Sequence, residues 1–194
     1  MGVKYLFVIR HGETEANAAG IDAGPLDYPL DKKGKKAVEY LSKTLSKIKM
    51  SAVYTSPVRR AVQTGEILAR PHDLKVKTIN ELTEAKIKPQ FVGTGTRLHI
   101  LTDPEAFEET YEQLERRTLK AISEIRNKEK GNVIAVSHGD PLMALLHYVV
   151  ERKIAKNRHF VIHPEPGSLS IFDLTERRPK LILFNYHRKQ FADF

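Results

Sequence analysis

The sequence predicts a three-layer α/β/α sandwich, with helices on both faces of a largely parallel sheet. Three observations carry this expectation. Apolar runs too short for helices alternate with longer segments of helical period. Two of those runs, Tyr5-Leu6-Phe7-Val8-Ile9 and Asn132-Val133-Ile134-Ala135-Val136, lack the alternation of a half-exposed strand and read as strands covered on both faces. With 194 residues, 41% hydrophobic and 29% charged, the chain can bury a core of its own without disulfides or metals.

The elements follow in chain order. The run from Tyr5 to Ile9 is the first strand. Asp31 is placed to cap a helix whose Ala37, Leu41, Leu45 and Ile48 share one face. Ala52-Val53-Tyr54 is a short strand, and Ser56-Pro57 opens a helix to about Ala69, with Ser at the cap and Pro in the first turn. Val76 to Ile79 is a third strand. Residues 80–102, with Pro89, Gly93 and Gly95, break the pattern and read as a lid-like insertion within a single domain spanning 1–194. Within it, Gly93-Thr94-Gly95-Thr96 reads as a flexible loop in preference to a phosphate cradle, because no strand precedes it to aim a helix N-terminus. Asp103-Pro104 opens a long helix carrying Phe107, Tyr111, Leu114, Ile122 and Ile125, and Gly131 closes the linker behind it. After the strand at Asn132–Val136 comes a helix from about Pro141 to Glu151, then two strands near Leu169–Phe172 and Leu181–Phe184.

Composition removes several classes of function. The chain has no cysteine, which excludes thiol nucleophiles, iron–sulfur clusters and cysteine zinc sites. No run approaches the roughly 20 apolar residues that span a bilayer, and the N-terminal stretch lacks a signal-peptide core, so a cytoplasmic location is expected. A net charge of +8 favours an anionic partner. Yet the basic residues are interleaved with acids, and Lys32-Lys33, Lys35-Lys36 and Arg177-Arg178 read as solvated faces. The expected partner is therefore a small phosphorylated metabolite, not a nucleic acid or a membrane, met by a monomer or homodimer. The high charge fraction, with only ten Asn and Gln, is also the direction taken by thermophile proteins.

One feature occurs twice. The first strand runs into Arg10-His11-Gly12-Glu13-Thr14, and a later strand runs into Ser137-His138-Gly139-Asp140. Ligands in an open α/β sheet sit at the carboxyl ends of the strands. If these two strands are parallel neighbours, His11 and His138 meet there despite lying 127 residues apart. The chemistry then available is phosphoryl transfer. A neutral imidazole nitrogen attacks phosphorus, an arginine fork holds two phosphate oxygens, and an acid protonates the leaving oxygen. For this the sequence offers Arg10, Arg59 or Arg60, and the acids Glu13, Glu81, Glu84 and Asp140. Zinc held by His11, Glu13, His138 and Asp140 is the weaker reading: no paired-histidine zinc motif occurs, and the arginines would repel a cation. The other six histidines read as structural, His99 beside Arg97 being the one to watch.

Ile9-Arg10-His11-Gly12-Glu13-Thr14 with Asn17 resembles the signature of the histidine phosphatase superfamily, the phosphoglycerate mutase-like family. Asp27-Tyr28-Pro29-Leu30 with Gly34 and Ala37, Thr55-Ser56-Pro57-Val58-Arg59-Arg60-Ala61-Val62-Gln63-Thr64 and Ser137-His138-Gly139 are similar to further family motifs, in order. The resemblance covers nearly the whole chain. It implies a mixed, mostly parallel sheet of about six strands. It also implies that His11 is phosphorylated, that Arg10, Arg60 and His138 hold the phosphoryl oxygens, and that Asn17 and Gly139 add substrate contacts. The family's acid corresponds to Glu84 in Leu82-Thr83-Glu84; Asp140 is the alternative and Glu81 the third choice. The implied activity is a metal-independent phosphomonoester phosphatase with no cofactor. Its rivals are a cofactor-dependent phosphoglycerate mutase, which would require 2,3-bisphosphoglycerate, and a non-catalytic phosphate or nucleic-acid binder. The short span between Arg60 and His138, and Pro166-Gly167-Ser168 near the end, look closer to the phosphatase branch.

Overall fold

The computed structural model of the chain describes residues 2–21, 23–24, 26–93, 105–150 and 164–187. Its strands are β1 (Val3–Arg10), β2 (Ala52–Thr55), β3 (Val76–Thr78), β4 (Gly131–Ser137), β5 (Leu169–Asp173) and β6 (Lys180–Tyr186). Its helices are α1 (Glu15–Ala18), α2 (Lys32–Leu45), α3 (Arg59–Ala69), α4 (Tyr111–Lys128) and α5 (Gly139–Val149). The strands form a six-stranded sheet in the order β3-β2-β4-β1-β5-β6. The first four in that order run parallel; β5 is antiparallel to β1, and β6 to β5. The sheet is thus the expected mixed, mostly parallel one.

Side-chain alternation along the strands separates two cores. Leu6 and Val8 of β1, with Val133 and Ala135 of β4, pack against Ile122 and Ile125 of α4 and Leu142 and Leu145 of α5. Phe7, Ile9, Ile134 and Val136 face the other way, onto Val38, Leu41 and Leu45 of α2 and Leu68 of α3. Both faces of β1 and β4 are therefore dry, which is why these strands read as unbroken apolar runs.

Asp31 caps α2 as expected, accepting from Gly34 N at 2.6 Å. Three helix starts differ from the sequence reading. α3 begins at Arg59, with Val58 at the cap, because the Ser56 hydroxyl is turned into the protein interior. α4 begins at Tyr111, not near Pro104. Thr110 and Gln113 form a reciprocal capping box, while Phe107 lies outside the helix in a bridge to Ile87. α5 begins at Gly139, two residues before Pro141, so its first N–H groups belong to the His-Gly-Asp segment. In the stretch read as an insertion, 80–93 forms two short 3₁₀ turns, Asn80–Leu82 and Pro89–Phe91. Residues 94–102, which include most of the Gly-Thr-Gly-Thr run, Arg97 and His99, lie outside the described residues, as do Asp103-Pro104, Glu151, His159 and His163. Among the described residues no helix is long and apolar enough to cross a membrane.

Candidate active site

The site is built where β1 and β4 end side by side. Arg10 is in register with Ser137, and His11 N donates to Ser137 O at 3.0 Å, which brings the two His-Gly junctions together. The loop before β5 closes the third side. Gly167 N donates to Arg10 O and His11 O at 3.0 and 2.9 Å, and Gly167 adopts φ +77°, a left-handed conformation that glycine takes without strain. From the α2 side, Gly34 lies so close to the next loop that a Cβ there would stand 2.2 Å from Glu13 O. The sequence Pro166-Gly167-Ser168 and Gly34 are thus part of the mould around His11.

Hydrogen bonding fixes the state of both histidines. His11 Nδ1 lies 2.8 Å from Gly12 O. A carbonyl only accepts, so Nδ1 carries the proton and Nε2 is left unprotonated, an acceptor. Arg60 Nε donates to that Nε2 at 3.2 Å. His138 Nδ1 is 3.4 Å from the same guanidinium, which can only donate, so His138 Nε2 carries its proton and donates to Ser56 Oγ at 2.9 Å. The two rings stand 5.0 Å apart, edge on. His138 is fully buried, and burial first, then Arg60, His11, Arg10 and Arg117, hold its pKa well below the usual histidine value of 6.5. It is neutral at neutral pH.

The arginines are fixed by backbone. Arg60, 3% exposed, donates to Leu26 O at 3.1 Å and Gly24 O at 2.9 Å, and Arg10, 8% exposed, donates to Pro164 O at 2.5 Å. Of the two candidates for the second arginine, Arg60 is inside; Arg59 pairs with Asp27 on the surface.

The four acids part company. Glu84 is buried against the start of α5. Its Oε1 accepts from Ala85 N at 3.1 Å and Asp140 N at 3.0 Å, and its Oε2 accepts from Gly139 N at 3.1 Å. The carboxylate therefore sits on the positive end of the helix that follows His138. Asp140 is fully buried in the first turn of that helix, where its charge adds to the upward push that burial gives the Tyr111 phenol. Glu81 is elsewhere: Lys120 Nζ holds it at 2.7 Å, and that hydrogen bond keeps its pKa low. Glu13 contributes its backbone, accepting from Asp31 N at 3.0 Å. Asn17 caps α1 by accepting from Thr14 N and Oγ1 at 3.2 and 3.0 Å, which leaves its amide N–H groups for another acceptor.

Sequence reasoning missed the support behind Glu84. Arg117 of α4 forks onto Glu109 at 2.8 and 2.6 Å and donates to the carbonyls of Glu81, Thr83 and Glu84 at 2.7–2.8 Å. Ser137 Oγ adds a bond to Leu82 O at 2.7 Å. Glu84 also lines a cavity of about 710 Å³, together with Gly24 and Leu26, the residues that hold Arg60. Among the described residues no group of three or more histidines and carboxylates is placed to hold a metal ion.

Known proteins resemble this chain over most of its length. The chain is 26% identical, over 182 residues, to the 2,3-bisphosphoglycerate-dependent phosphoglycerate mutase of Thermoplasma acidophilum, covering 89% of this chain and 88% of that one. It is 29% identical, over 164 residues, to the metal-independent phosphoserine phosphatase of Arabidopsis thaliana, covering 74% and 67%. The solved structure of mycobacterial hydrolase 1 has the same fold, with a TM-score of 0.81 at 21% identity over 95% of this chain and 99% of that one. From the middle of β1 to the residue after β6, residues 6–187, the sequence matches the family model, and the chain belongs to the histidine phosphatase superfamily, branch 1.

Proposed function

We propose that this chain is a phosphomonoester phosphatase that works through a phosphohistidine at His11. The carrying observation is the Nδ1–H bond to Gly12 O, which leaves His11 Nε2 unprotonated and aimed at Arg60. Nε2 attacks the phosphorus, the phosphorus–oxygen ester bond breaks, and the departing oxygen takes a proton from a carboxylic acid. Water then gives a proton to the same carboxylate and attacks phosphorus, which breaks the nitrogen–phosphorus bond and releases phosphate. Arg10 and Arg60 supply the fixed positive charge that a phosphoryl transition state needs, so the reading requires no metal.

Glu84 serves as the acid in this reading. Its present bonds to Gly139 N and Asp140 N are the bonds that a phosphoryl oxygen would also seek. A dianion seated between His11 and α5 takes over those donors. The displaced carboxylate then stands beside a like charge and binds a proton. Asn17 adds an oxygen contact through its amide N–H groups, and His138 adds one when its Nε2–H turns from Ser56 Oγ to a phosphoryl oxygen. The substrate is a small phosphorylated metabolite in the cytoplasm, acted on by a monomer or homodimer.

The relative from Thermoplasma favours a second reading, in which the phosphoenzyme is discharged to a hydroxyl of phosphoglycerate after priming by 2,3-bisphosphoglycerate. Product analysis with 3-phosphoglycerate separates the two: the phosphatase releases inorganic phosphate, the mutase forms the 2-isomer. Leaving-group dependence tests the acid. Glu84→Gln is expected to slow alkyl phosphates by about 10²–10⁴ and nitrophenyl phosphate far less, because a nitrophenolate leaves without a proton. If Asp140→Asn shows that pattern and Glu84→Gln does not, the role passes to Asp140.

A further inference from the structure

The phosphoryl site is built from charged and polar groups, whereas the described lining of the cavity that Glu84 also borders is mostly apolar. Glu84, toward which the ester oxygen must point if Glu84 protonates it, is one of the residues lining the cavity of about 710 Å³. Its wall includes Leu26, Val58, Ala85, Ile87, Pro89 and Val92. Ile87 is packed with Ala106 in a small core of its own, which makes that part of the wall firm. Among the described residues lining the cavity, the charged ones besides Glu84 are Lys86 and Glu108, one of each sign. Among the described residues the wall thus has no excess of cations to hold a second anionic group. A glycerate or bisphosphate substrate carries such a second anion, and it would leave most of this volume empty.

We infer that the preferred substrates are monoesters of a bulky, largely apolar alcohol, seated with the phosphoryl group on His11 and the organic part against this wall. The inference rests on the phosphatase reading and specifies the substrate class for the same site. Area removed from water sets the expected gain, since each methylene moved into an apolar wall strengthens binding about fourfold. Primary alkyl phosphates have nearly equal leaving groups, so chain length changes the wall contact and not the chemistry.

The test is kcat/KM, by phosphate release, for ethyl, butyl and hexyl phosphate beside 3-phosphoglycerate and nitrophenyl phosphate. We expect a rise of about three- to fourfold per methylene, with hexyl phosphate well above 3-phosphoglycerate. Val92→Asp, which puts a charge into the wall away from the reacting groups, should flatten that slope. A flat or falling series, with nitrophenyl phosphate still turned over, overturns this inference and leaves the phosphatase reading standing. A steep series that Val92→Asp does not alter overturns the assignment to this cavity. Failure to hydrolyse any of these esters overturns both readings.

Discussion

Replacing Arg117 with methionine should damage stability and catalysis together, for separable reasons. The Arg117 and Glu109 side chains are only 15% and 8% exposed, so their ion pair lies largely out of water. Removing the guanidinium strands Glu109 with its one remaining bond, from Lys86 N at 2.8 Å. Breaking one side of a buried pair costs about 3–5 kcal/mol, a large part of the roughly 5–15 kcal/mol typical of a folded domain. With a urea slope of about 2 kcal/mol per molar, the midpoint should fall by about 2 M. The same change frees the carbonyls of Glu81, Thr83 and Glu84, so the backbone that positions the Glu84 side chain loses its anchor. The double variant Arg117→Met with Glu109→Leu tells these effects apart. Removing the stranded carboxylate should restore much of the urea midpoint, because an apolar pair replaces a buried ionic one at little net cost. Hydrolysis of alkyl phosphates should stay depressed relative to nitrophenyl phosphate, because the three carbonyls still lack their donor. A wild-type midpoint for the single variant, or recovery of both stability and alkyl phosphate turnover in the double variant, would refute this reasoning.

Gly34→Ala offers a test of opposite sign to helix propensity. Alanine in a helix ordinarily gains about 1 kcal/mol over glycine. Here the new Cβ would stand 2.2 Å from Glu13 O, so α2 must shift, at about 1–3 kcal/mol or more; a melting temperature at or above wild type would contradict the close approach. His138 gives a pH signature. Its folded pKa lies well below 6.5, so as pH falls past about 6.5 the unfolded chain binds a proton that the folded protein refuses. Folding stability should therefore weaken toward acid, by up to about 1.4 kcal/mol per pH unit from this group, and His138→Gln should remove that part of the slope. Denaturant titrations of both proteins at about pH 7.5 and 5.5 check this, and identical pH dependence would count against a buried neutral imidazole.

The sequence made the frame of the site readable because its cues are local. Buried strands show as unbroken apolar runs, and the two His-Gly junctions are fixed by the strands that precede them. The helix starts were harder, since two cues competed. Asp103-Pro104 has the look of a cap, but Thr110 and Gln113 satisfy each other's backbone and set the start of α4 at Tyr111. Ser56 also has the look of a cap, yet its hydroxyl accepts a hydrogen bond from His138 Nε2–H, and α3 starts at Arg59. The clamp behind Glu84 left no trace at all. Arg117 lies 33 residues from Glu84 in the chain, and nothing in the spacing of α4 says which of its charges turns inward. Glu84 itself was legible only through its motif; its contact with Gly139 and Asp140 depends on where α5 begins, two residues earlier than Pro141 suggests.

The central claim is that His11 Nε2 carries the phosphoryl group, and rapid quenching tests it most directly. Enzyme mixed with phosphorus-labelled nitrophenyl phosphate, in the presence of excess chelator, is stopped within a turnover and mapped by peptide mass spectrometry. The tautomer fixed by Gly12 O predicts an acid-labile, base-stable label on His11, and none on a folded His11→Ala variant that has lost turnover by more than the 10²–10³ of a missing electrostatic donor. An acid-stable label, a label on another residue, or near-normal turnover by His11→Ala would contradict the account.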